Sequence, residues 1–224
     1  MILLASRNPI LRWSWIPEQW DSRIQPALFE HIQLTLLAVG IGFLLSAVLA
    51  GVALRYRWTV GPITMFAAFL YTIPSVAFFG VLRTTALGLS VFTVLIPLTG
   101  FTILILVTNI LDGFRSVPAP VREAADAMGL SPARRVLTVE VPVAIPYMIN
   151  GLRIATVTTV GLVTVAAIVG QGGLGALILD GLRRTFWTPL TIGSVLAIIL
   201  ALTFDLLFVL LRNWLTPWSR AQRS

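Results

Sequence analysis

The chain has 224 residues, of which 57% are hydrophobic and 11% charged, and its mean hydropathy is +0.92. A soluble domain carries about 25% charged residues, so the composition excludes an ordinary soluble protein and predicts a polytopic membrane protein. The net charge of +7 is carried by 16 arginines without any lysine. In a membrane protein such charge marks the cytoplasmic side rather than a nucleic-acid partner. The absence of cysteine excludes disulfides and thiolate metal sites.

Residues 1–30 have two alternative interpretations. Trp13, Trp15 and Trp20 lie among charged residues, a pattern typical of a segment at the membrane interface. A poorly ordered tail is the other interpretation.

Five uncharged runs follow, and each is long enough for a helix of about 20 residues to cross about 30 Å of hydrocarbon. They cover residues 32–54, 58–82, 84–111, 154–179 and 185–204. All seven tryptophans lie near the ends of these runs or beyond them, as in the aromatic belts of membrane proteins. The sequence therefore predicts an all-α polytopic fold with about five transmembrane helices in residues 31–213 and a C-terminal tail at 214–224.

Five spans place the two termini on opposite sides of the membrane, and arginine counts choose the orientation. The side richer in arginine holds Arg55, Arg57, Arg115, Arg122, Arg134, Arg135, Arg153, Arg212, Arg220 and Arg223. The positive-inside rule makes this side cytoplasmic. We therefore expect the N-terminus outside, the C-terminus inside and residues 112–150 in the cytosol.

Residues 112–150 form a polar loop with eight charged side chains. Each would cost roughly 2.5–3.5 kcal/mol at a bilayer centre, so the loop lies outside the lipid. Pro120 and Glu123 suit the first turn of a short helix, and Gly129 suits its end. Val121, Ala125 and Met128 recur on one apolar stripe of that helix. A solvated loop without this helix is the alternative.

A second short helix is predicted after Gly129, because Ser131 and Pro132 suit a helix cap and first turn. Pro142 and Pro146 are predicted to mark its exit.

The loop resembles the "EAA" loop of bacterial ABC importer permeases. Glu123, Ala124 and Ala125 are followed by Gly129 four positions after the last alanine, and Val139 and Val141-Pro142 follow at the family's spacing. The valines replace the Ile and Leu of the family pattern. The resemblance implies that Glu123, Ala124, Ala125, Met128, Gly129 and Pro142 couple the chain to cytosolic ATPase subunits.

The same resemblance implies further partners. Two copies of the chain, or one copy and a paralogue, would form the pathway in the bacterial plasma membrane, and an extracytoplasmic solute-binding protein would deliver the solute. ATP and Mg²⁺ would be bound by the ATPase subunit and no cofactor by this chain. A Walker A phosphate loop requires lysine, which this sequence lacks. We therefore predict no catalytic residues, no metal site and no enzyme activity.

The second span contains a candidate pathway element. Pro74 must bend or break the helix beside Tyr71, Thr72 and Ser75, which frees backbone carbonyls. These residues either line a translocation pathway or belong to a kinked packing helix. Pro97 in the third span has the same two interpretations.

Asp205 lies inside the last hydrophobic segment, where an acidic residue favours a functional role. Arg212 is on the same helical face but two turns away, too far for a tight pair, and a structural role is equally open. His31 is predicted to be an interfacial residue at the outer edge of the first span.

Residues 170–175 match the GxGxxG pattern of dinucleotide-binding proteins. The surrounding βαβ context is missing, so we interpret the glycines as allowing tight turns and close backbone approach.

Two classes of function remain at this point: an ABC importer permease, or an ion-gradient-driven transporter or channel. Residues 71–82 and 169–184 are similar to permeases for osmoprotectants such as glycine betaine, choline, carnitine and proline betaine. Permeases for methionine and alkyl-sulfonates share the five-span arrangement and stay an alternative. A quaternary ammonium favours aromatic faces, for which Tyr71, Phe78 and Phe79 are candidates, although a lipid-facing position is the commoner explanation of phenylalanines in such a span.

Overall fold

A computed structural model describes residues 11–216, and within this range all regular structure is helical. The first ten residues and residues 217–224, with Trp218 and most of the predicted C-terminal tail, lie outside the described residues. The helices are α1 (Trp15–Arg55), α2 (Val60–Thr72), α3 (Ser75–Arg83), α4 (Phe92–Arg115), α5 (Ala119–Ala127), α6 (Pro132–Val169), α7 (Leu174–Arg184) and α8 (Trp187–Leu215). The helix α1 contains a π-helical turn at Trp20–Ile24, and α6 contains another at Val136–Glu140.

The helix α4 is the centre of the bundle. It is apolar on every side and most of its residues are buried, as expected for a helix with neighbours all round. It packs against α1 and α6, and small residues bring the backbones close. A Cβ atom at Gly42 would lie 1.9 Å from the Thr102 hydroxyl, and one at Gly151 would lie 2.7 Å from Asn109.

Four helices are long and apolar enough to cross a membrane, namely α1, α4, α6 and α8. The pair α2 and α3, with the turn that precedes α2, is a fifth span if the two bent halves count as one. The all-α fold with about five spans is therefore confirmed.

The limits of three predicted spans are wrong. Residues 84–91 form turns rather than the start of α4, and α6 ends at Val169 instead of near residue 179. The fourth and fifth spans also include Arg153 and Asp205, at which the uncharged runs stop. These two side chains form an ion pair with each other, which allows α6 and α8 to continue past the charged residues. Arg153 accordingly lies within α6 and does not count as a loop arginine.

The predicted break at Pro74 is confirmed. The chain bends by 84° between the segments Arg57–Thr72 and Ser75–Arg83. Ile73 before the proline is extended, because a proline disfavours the helical conformation of its predecessor. Pro97 differs, since α4 continues through it.

The predicted exit at Pro142 and Pro146 is wrong, because α6 runs through both residues. The π-helical turn Val136–Glu140 comes directly before, and Pro142 lies in the first α-helical turn after it. A missing N–H costs little at such a position, where the hydrogen-bond register begins anew.

The glycine-rich segment makes the close approach that the sequence predicts. Gly170 and Gly173 have φ of +90° and +50°, which glycine adopts readily. A Cβ atom at Gly173 would lie 2.6 Å from the backbone nitrogen of His31. His31 itself is fully buried, with Nε2 3.1 Å from the Val160 carbonyl oxygen, and its position at the membrane interface stays a prediction.

The N-terminal part of α1 is fixed to the end of the bundle formed by α7 and α8. Trp15 is buried against Phe186 in an edge-to-face contact, and the Arg12 backbone N–H donates to Thr188. Arg23 and Asp180 form an ion pair of 2.8 Å. Whether residues 1–30 lie at a membrane interface stays a prediction.

Candidate functional site

The polar loop presents the short helix α5. It begins at Ala119 after Pro118, one residue before the predicted start, and ends where Gly129 adopts a left-handed φ of +74°. The N–H of Leu130 donates to the Ala125 carbonyl across this turn, a common way to end a helix. Glu123 therefore lies beyond the first turn, so its predicted interaction with the helix N-terminus is wrong.

One face of α5 points away from the rest of the chain. Ala125 is buried, whereas Val121 and Met128 are exposed and thus do not form the single packed stripe expected from the sequence. We use the name coupling surface for the exposed residues Val121, Glu123, Ala124, Met128 and Gly129. Pro142 is only half-buried in α6.

Arginine–carboxylate contacts hold α5 against the start of α6. Arg135 bonds Asp126 at 2.7 Å and Glu140 at 3.0 Å, and Glu140 is only 7% exposed. Arg122 donates to the Phe114 carbonyl at 2.5 Å and lies 3.6 Å from Glu140. We call Arg122, Asp126, Arg135 and Glu140 the loop network. Because it joins α5 to a long helix, movement of the coupling surface would be transmitted to α6.

Ser131 caps the turn between the two helices, as predicted. Its hydroxyl oxygen accepts from the Arg134 backbone N–H at 3.4 Å.

The pathway candidates around the broken span lie beside α4. Tyr71 is exposed and makes an edge-to-face contact with Phe101, with 6.2 Å between the ring centroids, and Phe78 makes a second edge-to-face contact with Phe101 at 6.1 Å. Thr72 donates to the Ala68 carbonyl within its own helix. Pro74 is exposed, and Ser75 is half-buried at the start of α3.

Asp205 pairs with Arg153 rather than lacking a close partner. Two guanidinium nitrogens of Arg153 donate to the two carboxylate oxygens at 2.5 and 2.9 Å. About a third of each side chain is exposed, at 37% for Arg153 and 33% for Asp205. A cavity of about 210 Å³ opens beside the pair and is also lined by Ile154, Val157 and Thr158.

The structure does not bring the two groups of pathway candidates together. Tyr71 packs toward α4, whereas Asp205 joins α8 to α6. No hydrogen bond, ring contact or ion pair connects Asp205 with Tyr71, Thr72 or Ser75 within residues 11–216.

A comparison with protein-family models decides the class. Residues 39–221 match the family of binding-protein-dependent transport system inner membrane components. The chain belongs to this family.

Curated relatives of this inner membrane component match it over most of their length. The osmoprotectant import permease protein OsmW of Salmonella typhimurium is 32% identical, over 84% of this chain and 90% of OsmW. The choline transport system permease protein OpuBB of Bacillus subtilis is 31% identical, over 84% of this chain and 87% of OpuBB.

Solved structures share the fold of this inner membrane component. A chain of the MetNI methionine ABC transporter, crystallised in inward-facing conformations, gives a TM-score of 0.73 at 20% identity over 89% of this chain and 98% of that chain. A second crystal form gives 0.72 at 21% identity. At this level of identity the similarity concerns the fold alone.

Sequence reasoning missed the residues that position the site in this inner membrane component. Arg135 and Glu140 hold the coupling surface, and Arg153 pairs with Asp205. The only available signal was the presence of charges next to or inside long apolar runs, where an unpaired charge is costly.

Proposed function

We propose that this chain is the membrane-spanning subunit of an ATP-driven ABC importer that moves an osmoprotectant into the bacterial cell. The solutes are glycine betaine, choline, carnitine or proline betaine. The observation that carries the proposal is the similarity over 84% of this chain to OsmW and OpuBB, whose names specify osmoprotectant import and choline transport. Relatives named for glycine betaine, carnitine and choline transport support the same solute class.

The coupling surface is the proposed docking site for a cytosolic ATPase subunit. It offers an apolar Met128, a carboxylate at Glu123 that has no ion pair within residues 11–216 and the small Ala124, so a partner helix or groove can approach the backbone closely. Gly129 belongs to this surface, Ala125 is buried beneath it, and Pro142 is proposed to take part in coupling from its half-buried position in α6. The ATPase subunit supplies the site for ATP and Mg²⁺. This chain has no lysine and therefore no Walker A motif.

Transport then follows from the way α5 is attached. ATP-driven closure of the ATPases moves α5, and the loop network passes this movement to α6 as a rigid-body displacement. The helix α6 carries Arg153, whose partner Asp205 lies on α8. Tyr71, Thr72, Pro74, Ser75 and Asp205 are the proposed pathway residues, with the broken span supplying freed backbone carbonyls.

The remaining parts of the importer are proposed from the family. A second copy or a paralogue completes the pathway, and an extracytoplasmic binding protein delivers the solute. The chain lies in the bacterial plasma membrane with its N-terminus outside and its C-terminus in the cytosol. Single cysteines test this orientation, because the chain has no cysteine of its own. We expect Ala133→Cys and Thr84→Cys to react with an impermeant maleimide from opposite sides, and reaction from one side contradicts the orientation.

Uptake measurements test the substrate. Cells with the intact gene set are expected to take up radiolabelled glycine betaine or choline, and a deletion strain is expected to lose this uptake and regain it from a plasmid. Radiolabelled methionine is the control. Unchanged betaine and choline uptake with reduced methionine uptake would favour the methionine alternative. Uptake that persisted without the ATPase subunit would favour an ion-gradient-driven transporter.

A further inference from the structure

A second and larger cavity lies behind the coupling surface, where α1, α4 and the polar loop meet. Its volume is about 590 Å³. Four arginines and one acidic residue supply its charge: Arg57, Arg115, Arg122, Arg135 and Glu140. The remaining wall is apolar and includes Ala53, Leu54, Val60, Leu111 and Phe114. The cavity shares Arg122, Arg135 and Glu140 with the loop network, whereas Arg57 and Arg115 have no part in the coupling role or the translocation pathway.

The arginines in the cavity are not fully neutralised by neighbouring carboxylates. Glu140 is shared between Arg122 and Arg135. The Nε–H of Arg122 is buried without a hydrogen-bond partner. Arg57 has no carboxylate within 4 Å among the described residues, and Arg115 has only the exposed Asp112 at 3.6 Å. A donor-rich site with surplus positive charge binds anions, and guanidinium groups match phosphate oxygens.

The position of the cavity indicates which anion has access to it. The apolar stretches of α1 and α4 end at Arg55 and Arg115, so the cavity lies where the hydrocarbon gives way to the polar layer. Tyr56 and Trp58 beside it are 50% and 77% exposed, as aromatic residues at headgroup level are. The cavity thus combines an apolar wall with arginines at the end of these apolar stretches.

We propose that this cavity is a binding site for the phosphate group of an anion, and that an anionic phospholipid headgroup is its occupant. The phosphate oxygens accept from the guanidinium groups of Arg57 and Arg115. The apolar wall contacts the first methylene groups of the acyl chains. Because the site joins the end of α1 to the loop network, a bound lipid holds the polar loop against the membrane surface.

The test uses the assembled transporter, purified in a non-ionic detergent and incubated with equal amounts of phosphatidylglycerol and phosphatidylcholine. Native mass spectrometry measures the lipid retained. The cavity variant is Arg57→Gln/Arg115→Gln. The matched control is Arg55→Gln/Arg134→Gln, which removes the same charge from neighbouring positions that do not line the cavity. Wild type and control are expected to retain phosphatidylglycerol preferentially, and the cavity variant to bind it roughly tenfold more weakly or worse.

A second arm separates the two sources of phosphate. Inorganic phosphate is titrated into the lipid-loaded complex; displacement of the lipid at low concentration would assign the site to free phosphate, and persistence of the lipid assigns it to the headgroup. Equal retention of both lipids by wild type, or equal loss in both double variants, would overturn the proposal. The single variant Arg57→Gln repeats the comparison if the double variant does not assemble. Failure here leaves the proposed transport function untouched, because Arg57 and Arg115, the residues varied, have no part in that function.

Discussion

The protein contains two arginine–carboxylate systems that use the same chemistry in different surroundings. In the loop network, Arg135 contacts both Asp126 and Glu140, and Glu140 also faces Arg122. In the spans, Arg153 and Asp205 have only each other as ionic partners within residues 11–216. The loop network thus offers Arg135 a second carboxylate when one is lost. Arg153 and Asp205 have no such second partner among the described residues, although each is about a third exposed.

This difference shows what each system does. Because Arg135 keeps Glu140 when Asp126 is lost, we infer that the loop network is a clamp that keeps the coupling surface in one orientation. A one-to-one pair within the membrane region is sensitive to the loss of either member, because the remaining charge is left without compensation. Such a pair fixes the contact between α6 and α8 and gives them a polar position beside a cavity.

The largest effect is expected from breaking the pair in the spans. We expect Asp205→Asn to lower the amount of folded protein roughly fivefold or more, because Arg153 is left unpaired in the apolar region. The same substitution at Asp126 is the matched control and is expected to leave the amount nearly unchanged, since Arg135 keeps Glu140. Fluorescence-detected size-exclusion chromatography of tagged protein measures both.

A double variant distinguishes stability from transport at this pair. Arg153→Met/Asp205→Leu removes both charges and is expected to restore the amount of folded protein. Uptake is expected to stay low if Asp205 belongs to the pathway. Full uptake by the double variant would reduce the pair to a structural contact.

A change confined to the tip of α5 is expected to affect transport and not folding. Gly129→Val places a β-branched residue at φ +74°, at a cost of about 1–2 kcal/mol. No atom lies within 4 Å of a Cβ at this position, so the effect comes from the backbone alone. Uptake is expected to fall roughly tenfold at unchanged protein amount. Gly61→Val, at an equally open glycine in α2, serves as the control, and equal effects of both substitutions contradict the docking role.

Variants of Glu123 and Glu140 in the polar loop distinguish docking of the ATPase subunit from the attachment of α5 to α6. Glu123→Gln is expected to weaken association with the ATPase subunit about tenfold without changing the melting temperature, because Glu123 has no ion pair within the described part of the chain. Glu140→Gln is expected to lower both the association with the ATPase subunit and the melting temperature, since it removes the carboxylate that Arg122 and Arg135 share. Pull-down with the ATPase subunit and differential scanning fluorimetry give the two readouts. If Glu123→Gln lowered the melting temperature instead, its role would be structural.

Local signals in the sequence predicted the parts of the site that depend on few residues. Gly129 ends α5, Ser131 caps the next turn and Pro74 breaks the second span, because each acts through its own backbone conformation. The same holds for the glycines near Gly173. These features require no knowledge of distant parts of the chain.

The parts that the sequence did not predict depend on contacts between distant segments. Arg153 and Asp205 are 52 residues apart, and charges were used as span limits although pairing allows them inside a span. The burial of His31 was not predicted, because its partner, the Val160 carbonyl, is 129 residues away in the sequence. The predicted end of the helix at Pro142 was wrong, because a π-helical turn shifts the hydrogen-bond register just before this residue.

The smallest effect is expected at a third arginine–carboxylate system, Arg23, Arg184 and Asp180, at the end of the bundle opposite the polar loop. The hydrogen bond from Arg23, helped by the charge of Arg184, lowers the pKa of Asp180 below its ordinary value, although partial burial opposes this. A carboxylate whose pKa is lower in the folded state stabilises fully above its unfolded pKa and loses that contribution as the pH falls through the folded pKa. Wild type is therefore expected to melt about 2 °C above Arg23→Gln at neutral pH, with the difference shrinking below pH 4. A difference that grew on acidification would contradict this assignment.

Cross-linking at Ala124 tests most directly whether the coupling surface docks a nucleotide-hydrolysing partner. The chain has no cysteine, so Ala124→Cys carries a photoreactive maleimide at a single exposed position in membranes from cells with the intact gene set. Thr84→Cys, exposed in the turn after α3, is the control. We expect an ATPase subunit with a Walker A motif to be captured at Ala124→Cys and not at Thr84→Cys. Capture of no such subunit at Ala124→Cys, or equal capture at both positions, would contradict the coupling role.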